Sequence, residues 1–237
     1  MKIRKVILIL GVVIFTVSLI FYINTENNLS KSEKVYEELR LSIIESNENS
    51  DSTENVLLNK YSSIKAENED LVGWLSDNNY INYPIVCNMS DDLFYLHHDF
   101  YKNYAYAGCL FIDGNYTIND KVIIVYGHNM RNNTMFGSLD EYCNESMLNS
   151  SMFYFSNLYK DIDLKPIAVC KLGISDFDYY NYQGNLDSDS FSTLISNLSK
   201  SVITGSLDNT DYSNNLVILS TCEYSHKDGR LLIICKY

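Results

Sequence analysis

The groups able to do chemistry in this chain are few. His97, His98, His128 and His226 are its four histidines, the side chains whose ordinary pKa suits proton transfer near neutrality. Six cysteines, at positions 87, 109, 143, 170, 222 and 235, supply the thiols. None forms a C-x-x-C pair, so the spacing is not that of a zinc ribbon or a thioredoxin-type redox site. Cys222 and His226 are four apart, but no second ligand pair of matching spacing accompanies them, and no metal or other cofactor is expected.

Context separates these residues. His97 and His98 are adjacent in DDLFYLHHDFYKNY; they cannot point the same way on a strand, and on a helix they differ by about 100°. They read as surface or structural. His128 instead follows Val122-Ile123-Ile124-Val125-Tyr126, an apolar run suited to a strand buried on both faces, and sits in the turn Gly127-His128-Asn129-Met130. A rigid strand ending in a polar turn is where scaffolds present reactive groups. The same arrangement recurs at Leu216-Val217-Ile218-Leu219, followed by Ser220-Thr221-Cys222-Glu223. A free cysteine is commonly an inert core residue, but Cys222 falls where apolar residues give way to polar ones. Asp228-Gly229 then marks a turn before Arg230 and the apolar Leu231–Cys235 run. Strands joined so closely pair antiparallel, which brings Arg230 beside Cys222. A guanidinium beside a thiol favours the thiolate and can donate hydrogen bonds to an oxyanion.

These positions need a β scaffold, and strand signals dominate the chain beyond residue 60. Tyr80–Val86, Cys109–Ile112, Val122–Tyr126, Ile167–Cys170, Leu216–Leu219 and Leu231–Cys235 are short, β-branched or aromatic, and bounded by Gly, Asn or Asp. Pro84 places its strand at an edge or a bulge. One helix interrupts them near 187–200, with Phe191, Leu194, Ile195 and Leu198 on one stripe, Asp187 and Asp189 at its start and Lys200 at its end. Earlier, Ser30-Lys31-Ser32-Glu33 has capping-box form, and Val35, Tyr36, Leu39 and Ile43 predict a helix near 31–45. The polar stretch 47–55 reads as a linker.

Composition bounds the class. The 237 residues are 46% apolar with 2 Pro and 10 Gly, which excludes a disordered or collagen-like chain. A formal charge of −12 argues against nonspecific nucleic-acid binding, which needs a basic footprint. Lys2, Arg4 and Lys5 precede an uninterrupted apolar run of 18 residues from Val6 to Ile23, long enough to span a bilayer with slight thinning. The run ends Phe-Tyr-Ile-Asn, without the small-x-small site of a cleaved signal peptide. The positive-inside rule keeps the amino terminus in the cytoplasm. The expected organisation is a cytoplasmic terminus at 1–5, a transmembrane anchor at 6–23, a helical lead-in and linker at 24–59, and an extracytoplasmic catalytic domain at 60–237.

At the reactive residues the chain resembles the sortases, membrane-anchored cysteine transpeptidases of Gram-positive bacteria, and specifically class B. The family signature T-L-x-T-C is similar to Ile218-Leu219-Ser220-Thr221-Cys222, with Ile in place of the leading Thr, and Arg230 follows eight residues on. The upstream motif resembles Tyr126-Gly127-His128-Asn129-Met130, followed by Thr134-Met135-Phe136-Gly137-Ser138-Leu139. The likeness runs from about Trp74 to the end and includes the class B habit of an extra helix before the cysteine strand.

The resemblance implies a mostly-β fold: a closed eight-stranded sortase-type β-barrel with N-terminal helices. It implies that Cys222 attacks a threonine carbonyl in a C-terminal sorting signal, that His128 moves protons, and that Arg230 holds the oxyanion. Ser220, Thr221, Glu223, Tyr179 and Tyr180 are candidates for substrate contact. The implied partners are secreted proteins bearing a sorting signal and the amine of a peptidoglycan precursor. Two other readings share these residues: a cell-wall cysteine endopeptidase, and a non-enzymatic anchored binding protein with inert thiols.

Overall fold

A computed structural model describes residues 2–47, 59–77, 79–225 and 227–237. His226 and most of the expected linker lie outside the described residues. The chain begins with α1 (Lys2–Asn47), a single unbroken helix. The predicted stripe is correct: Tyr36 and Leu39 are buried, and Val35 and Ile43 pack on the same cluster. The predicted start is not. Ser30, the cap of that pattern, lies well inside the helix, and the neighbouring Ser32 Oγ donates back to the Asn28 carbonyl, as a mid-helix serine does. No Pro or Gly lies between Ile23 and Tyr36 to end the apolar helix, so it continues straight into the lead-in. Among the described residues α1 is the one helix long and apolar enough to cross a membrane.

The helix α2 (Asn59–Glu67) packs against α1 and leads into the strands. In chain order these are β1 (Leu71–Asp77), β2 (Asn82–Val86), β3 (Leu110–Phe111), β4 (Val122–Tyr126), β5 (Phe153–Ser156), β6 (Asp161–Gly173), β7 (Val202–Gly205), β8 (Leu216–Glu223) and β9 (Gly229–Lys236). The short helix α3 (Glu145–Ser150) precedes β5, and α4 (Ser188–Ser199) lies between β6 and β7. Neighbours run β5-β1-β2-β3-β4-β8-β9-β6, and β5 also pairs with β6, which closes an eight-stranded barrel. The long strand β6 makes this possible. One of its edges pairs with β9; the other pairs with β5 through residues 161–164 and with β7 through 168–170. β2–β3 and β4–β8 are parallel, and the other pairings are antiparallel.

Six expected strands are present, with altered ends. β2 starts at Asn82 rather than Tyr80 because Asp77 Oδ1 accepts the N–H groups of Asn79, Tyr80 and Ile81, folding them into the turn. Pro84 lies within β2, whose ladder with β1 carries an irregularity between Leu71 and Gly73, and only Ile85 and Val86 pair with β3. The short strands β5 and β7, and β1 with its central Gly73, carried too little pattern to be predicted.

Two apolar clusters explain the continuous hydrophobic runs. Ile123, Val125, Val217, Leu219, Leu231 and Ile233 face the barrel interior. The alternate residues Val122, Ile124, Leu216, Ile218, Leu232 and Ile234 face outward, where Phe191, Leu194 and Leu198 of α4 cover them. A wall buried on both faces has no polar alternation. Asp187 caps α4 by accepting the Ser190 N–H at 2.7 Å, matching the predicted boundary. Phe191→Ala removes a fully buried ring from this seat and is expected to lower global stability by about 3–5 kcal/mol, measured as the shift in a urea denaturation curve.

Candidate active site

Strand register assembles the site. β4 and β8 pair in parallel from Val122↔Leu216 to Tyr126↔Ser220, on alternating faces. Hydrogen bonds carry this alignment past the strand ends: the Gly127 N–H donates to the Ser220 carbonyl at 3.2 Å, Thr221 Oγ1 donates to the Gly127 carbonyl at 2.7 Å, and Asn129 Nδ2 donates to the Cys222 carbonyl at 2.9 Å. Two residues beyond the Tyr126–Ser220 pair, His128 comes level with Cys222. On the other side of β8, Cys222 pairs directly with Arg230 of β9. The three therefore form one row across three neighbouring strands, on the outward face that α4 covers further along.

A cleft of about 480 Å³ opens over this row. His128, Cys222 and Arg230 line it with Ser220, Thr221 and Tyr180, and Leu96, Phe111 and Tyr126 add apolar surface. Gly127 is required here, since a Cβ would lie 2.5 Å from Leu110 Cδ2 and 2.7 Å from Phe136 Cδ2.

His128 is half-buried, and its Nε2 donates to the Leu96 carbonyl at 2.8 Å. That bond fixes the ring and leaves Nδ1 as the accepting nitrogen of the neutral form. Burial holds its pKa below the usual 6.5; the Leu96 carbonyl pulls upward, and the neighbouring His97 pushes down. The His97 and His128 rings stack at 5.7 Å between centroids. Arg230 donates from Nε to the Tyr180 hydroxyl at 2.8 Å and from Nη1 to the Gly229 carbonyl at 2.9 Å, which leaves Nη2 without a partner among the described residues. Burial opposes the guanidinium charge, but the Tyr180 phenol and Cys222 thiol outweigh it and keep its pKa above the ordinary value.

Cys222 lines the cleft, and none of the other five cysteines does. Burial raises Cys109 and Cys170 to about 12 and also raises Cys87, Cys143 and Cys235. All six cysteines are free.

Of the residues expected to contact substrate, Ser220, Thr221 and Tyr180 do line the cleft. Tyr179 lies beneath it, fully buried, with its hydroxyl 2.7 Å from Ser220 Oγ and its ring centroid 4.3 Å from that of Tyr180, tilted by 32°. Glu223 is not brought to the cleft; its carboxylate accepts from Ser225 and pairs with Lys171 at 3.6 Å. Sequence reasoning missed three contributors. Leu96 orients the histidine through its backbone, which no side-chain pattern reveals, and Asn129 ties the turn to the cysteine strand. His97, set aside as surface, is exposed but packs on His128.

A thiol, an imidazole and a guanidinium aligned over a cleft outside a closed barrel are the equipment of a cysteine acyl transferase. Comparison with known proteins agrees. Sortase B of Listeria monocytogenes serovar 1/2a is 31% identical over 172 residues, covering 70% of this chain and 69% of that protein. Sortase B of Staphylococcus aureus is 25% identical over 243 residues, covering 100% of this chain and 96% of that protein. Among solved structures, sortase B from B. anthracis superimposes with a TM-score of 0.75 at 24% identity, over 88% of this chain and 97% of that one. The S. aureus sortase B–substrate complex gives 0.72 at 22%, over 89% and 96%. No family model matches the chain. The chain belongs to the sortase B family and is a sortase-type cysteine transpeptidase.

Two measurements check the site. Iodoacetamide at neutral pH should modify Cys222, which lines the open cleft beside Arg230, before the other five cysteines, as read by peptide mass mapping. The His128 imidazole, followed by NMR, should titrate below 6.5; His97→Gln removes a like-charged neighbour and should move that titration upward.

Proposed function

We propose that Cys222, His128 and Arg230 carry out two successive acyl transfers on a sorting signal. Cys222 passes its thiol proton to His128 Nδ1, and its sulfur attacks the carbonyl carbon of a threonine in the signal. As the C–N bond breaks, the leaving amine takes a proton from His128, and the protein is held as a thioester. An amine from a cell-wall precursor then gives its proton to His128 and attacks the thioester carbon, and the released thiolate takes that proton back from His128. The Nη2 edge of Arg230 donates to the oxygen that becomes negative in each tetrahedral intermediate. Tyr180 holds the guanidinium through Nε, and Leu96 holds the imidazole through Nε2. The single row made by the β4–β8–β9 register is the observation that carries this assignment.

The apolar run Val6–Ile23, with Lys2, Arg4 and Lys5 immediately before it and Glu26 as the first charge after it, supports a single-pass anchor that leaves the amino terminus in the cytoplasm and the barrel outside. Substrates are then exported proteins with a C-terminal sorting signal, and the acceptor is a peptidoglycan-precursor amine.

Cys222→Ala should abolish thioester formation while leaving the urea denaturation midpoint near wild type; turnover by this variant would remove Cys222 from the mechanism. His128→Ala and Arg230→Ala should each lower kcat/KM by at least about 100-fold. Adding an amine acceptor to a peptide-cleavage assay should divert product from hydrolysis to aminolysis. Product that stays wholly hydrolytic would favour a cell-wall endopeptidase.

A further inference from the structure

Several features of the molecule are not explained by the catalytic row. One is a set of exposed tyrosines, of which Tyr106 lies against α1 just past the apolar run: Tyr106 is 53% exposed, Tyr104 67% and Tyr224 77%. Their position follows from the helix. From Arg4 to Asn24 α1 is exposed on every side, and it first becomes covered at Thr25, Asn28 and Leu29. The covering segment is the turn that contains Tyr106, whose backbone N–H donates to Asn28 Oδ1 at 2.7 Å. The next residues climb the helix, since the Gly108 carbonyl accepts from the Tyr36 hydroxyl.

The distances leave no room for a water gap. Asn28 lies about 7.5 Å along the axis beyond Ile23, the last residue of the apolar run. The headgroup layer on one side of a bilayer is about 5–8 Å thick. The apolar run itself spans about 27 Å, slightly less than the ~30 Å hydrocarbon core, so mismatch draws the flanking residues inward rather than lifting them away. No Pro or Gly lies between Ile23 and Asn28 to provide a hinge.

We propose that Tyr104, Tyr106 and Tyr224 form a lipid-contacting face that seats the barrel on the outer headgroup layer, with the catalytic cleft opening beside it. This rests on reading Val6–Ile23 as a membrane span. Tyrosine suits the position, because its ring enters the acyl boundary while its hydroxyl stays among headgroups. Arg131, within electrostatic reach of Tyr224, adds a cation for lipid phosphate. The link to the cleft is short. Tyr104 lies 6.4 Å from the His97 ring, which stacks on His128, and Tyr224 follows Cys222 by two residues. The opposite end of β4 and β8 points away from the bilayer. There Lys121 sits 4.3 Å over the Tyr212 ring.

The test uses the full chain in vesicles of phosphatidylcholine and phosphatidylglycerol whose acyl chains are brominated near the headgroup, with a parallel set brominated near the chain ends to read position 15. Tryptophan is introduced singly as Tyr104→Trp, Tyr106→Trp, Tyr224→Trp, Phe15→Trp within the span, and Tyr212→Trp at the far end; buried Trp74 gives a constant background. Bromines should quench the added emission about twofold at 106 and 224, with a blue shift relative to detergent, and leave 212 unchanged. Quenching at 15 but at none of 104, 106 and 224 would overturn the lipid-contacting face and leave the anchor standing. No quenching at 15 would overturn the anchor itself. Equal quenching at 212 and 106 would also overturn the proposed face, since the barrel would then adsorb without a preferred side.

Discussion

The parallel ladder between β4 and β8 sets the position of everything at the catalytic cleft. A strand has a side-chain period of two, so a slip of one residue would turn Cys222 into the barrel and Thr221 outward. The slip is opposed on both faces: Ile123, Val125, Val217 and Leu219 fill the interior, while Val122, Ile124, Leu216 and Ile218 lie beneath α4. Side-chain to backbone bonds from Thr221 and Asn129 then extend the alignment into the turn that carries His128. Precision at the site is thus a consequence of apolar packing well below it.

Because the row lies outside the barrel, the interior stays a packed core and the cleft is built from what is laid over the outer wall. The excursion between β6 and β7 supplies much of this. Its helix α4 covers the lower wall, and Tyr179 and Tyr180 divide the labour at the top. Tyr179 is buried against Ser220, and Tyr180 takes the Arg230 Nε–H while facing the cleft. On the other flank, the segment around Leu96 and His97 fixes the imidazole by a backbone carbonyl and a ring contact. Burial gives this histidine a lowered pKa, and the same physical cause holds the five other thiols in the protonated form. Environment separates the thiols.

The continuity of α1 joins two readings that the sequence presented as separate elements. A capping-box pattern at Ser30–Glu33 suggested a helix start, yet the serine is mid-helix because nothing upstream interrupts the backbone hydrogen bonds. A rigid connection of this kind couples the orientation of the barrel to that of the apolar segment.

Much of this was legible in the residues themselves. Apolar runs ending in polar turns located His128 and Cys222, a short turn predicted the pairing with Arg230, and a 3.6-residue stripe with an acidic cap located α4 almost to the residue. These are local signals, set by covalent geometry and by the cost of exposing apolar surface. The roles of Leu96, His97 and Asn129, the departure of Glu223 from the cleft, the closing of the barrel through the two halves of β6 and the unbroken α1 were decided only in three dimensions. Each depends on contacts between residues distant in sequence, or on backbone groups that every residue shares, and neither leaves a pattern in the order of side chains.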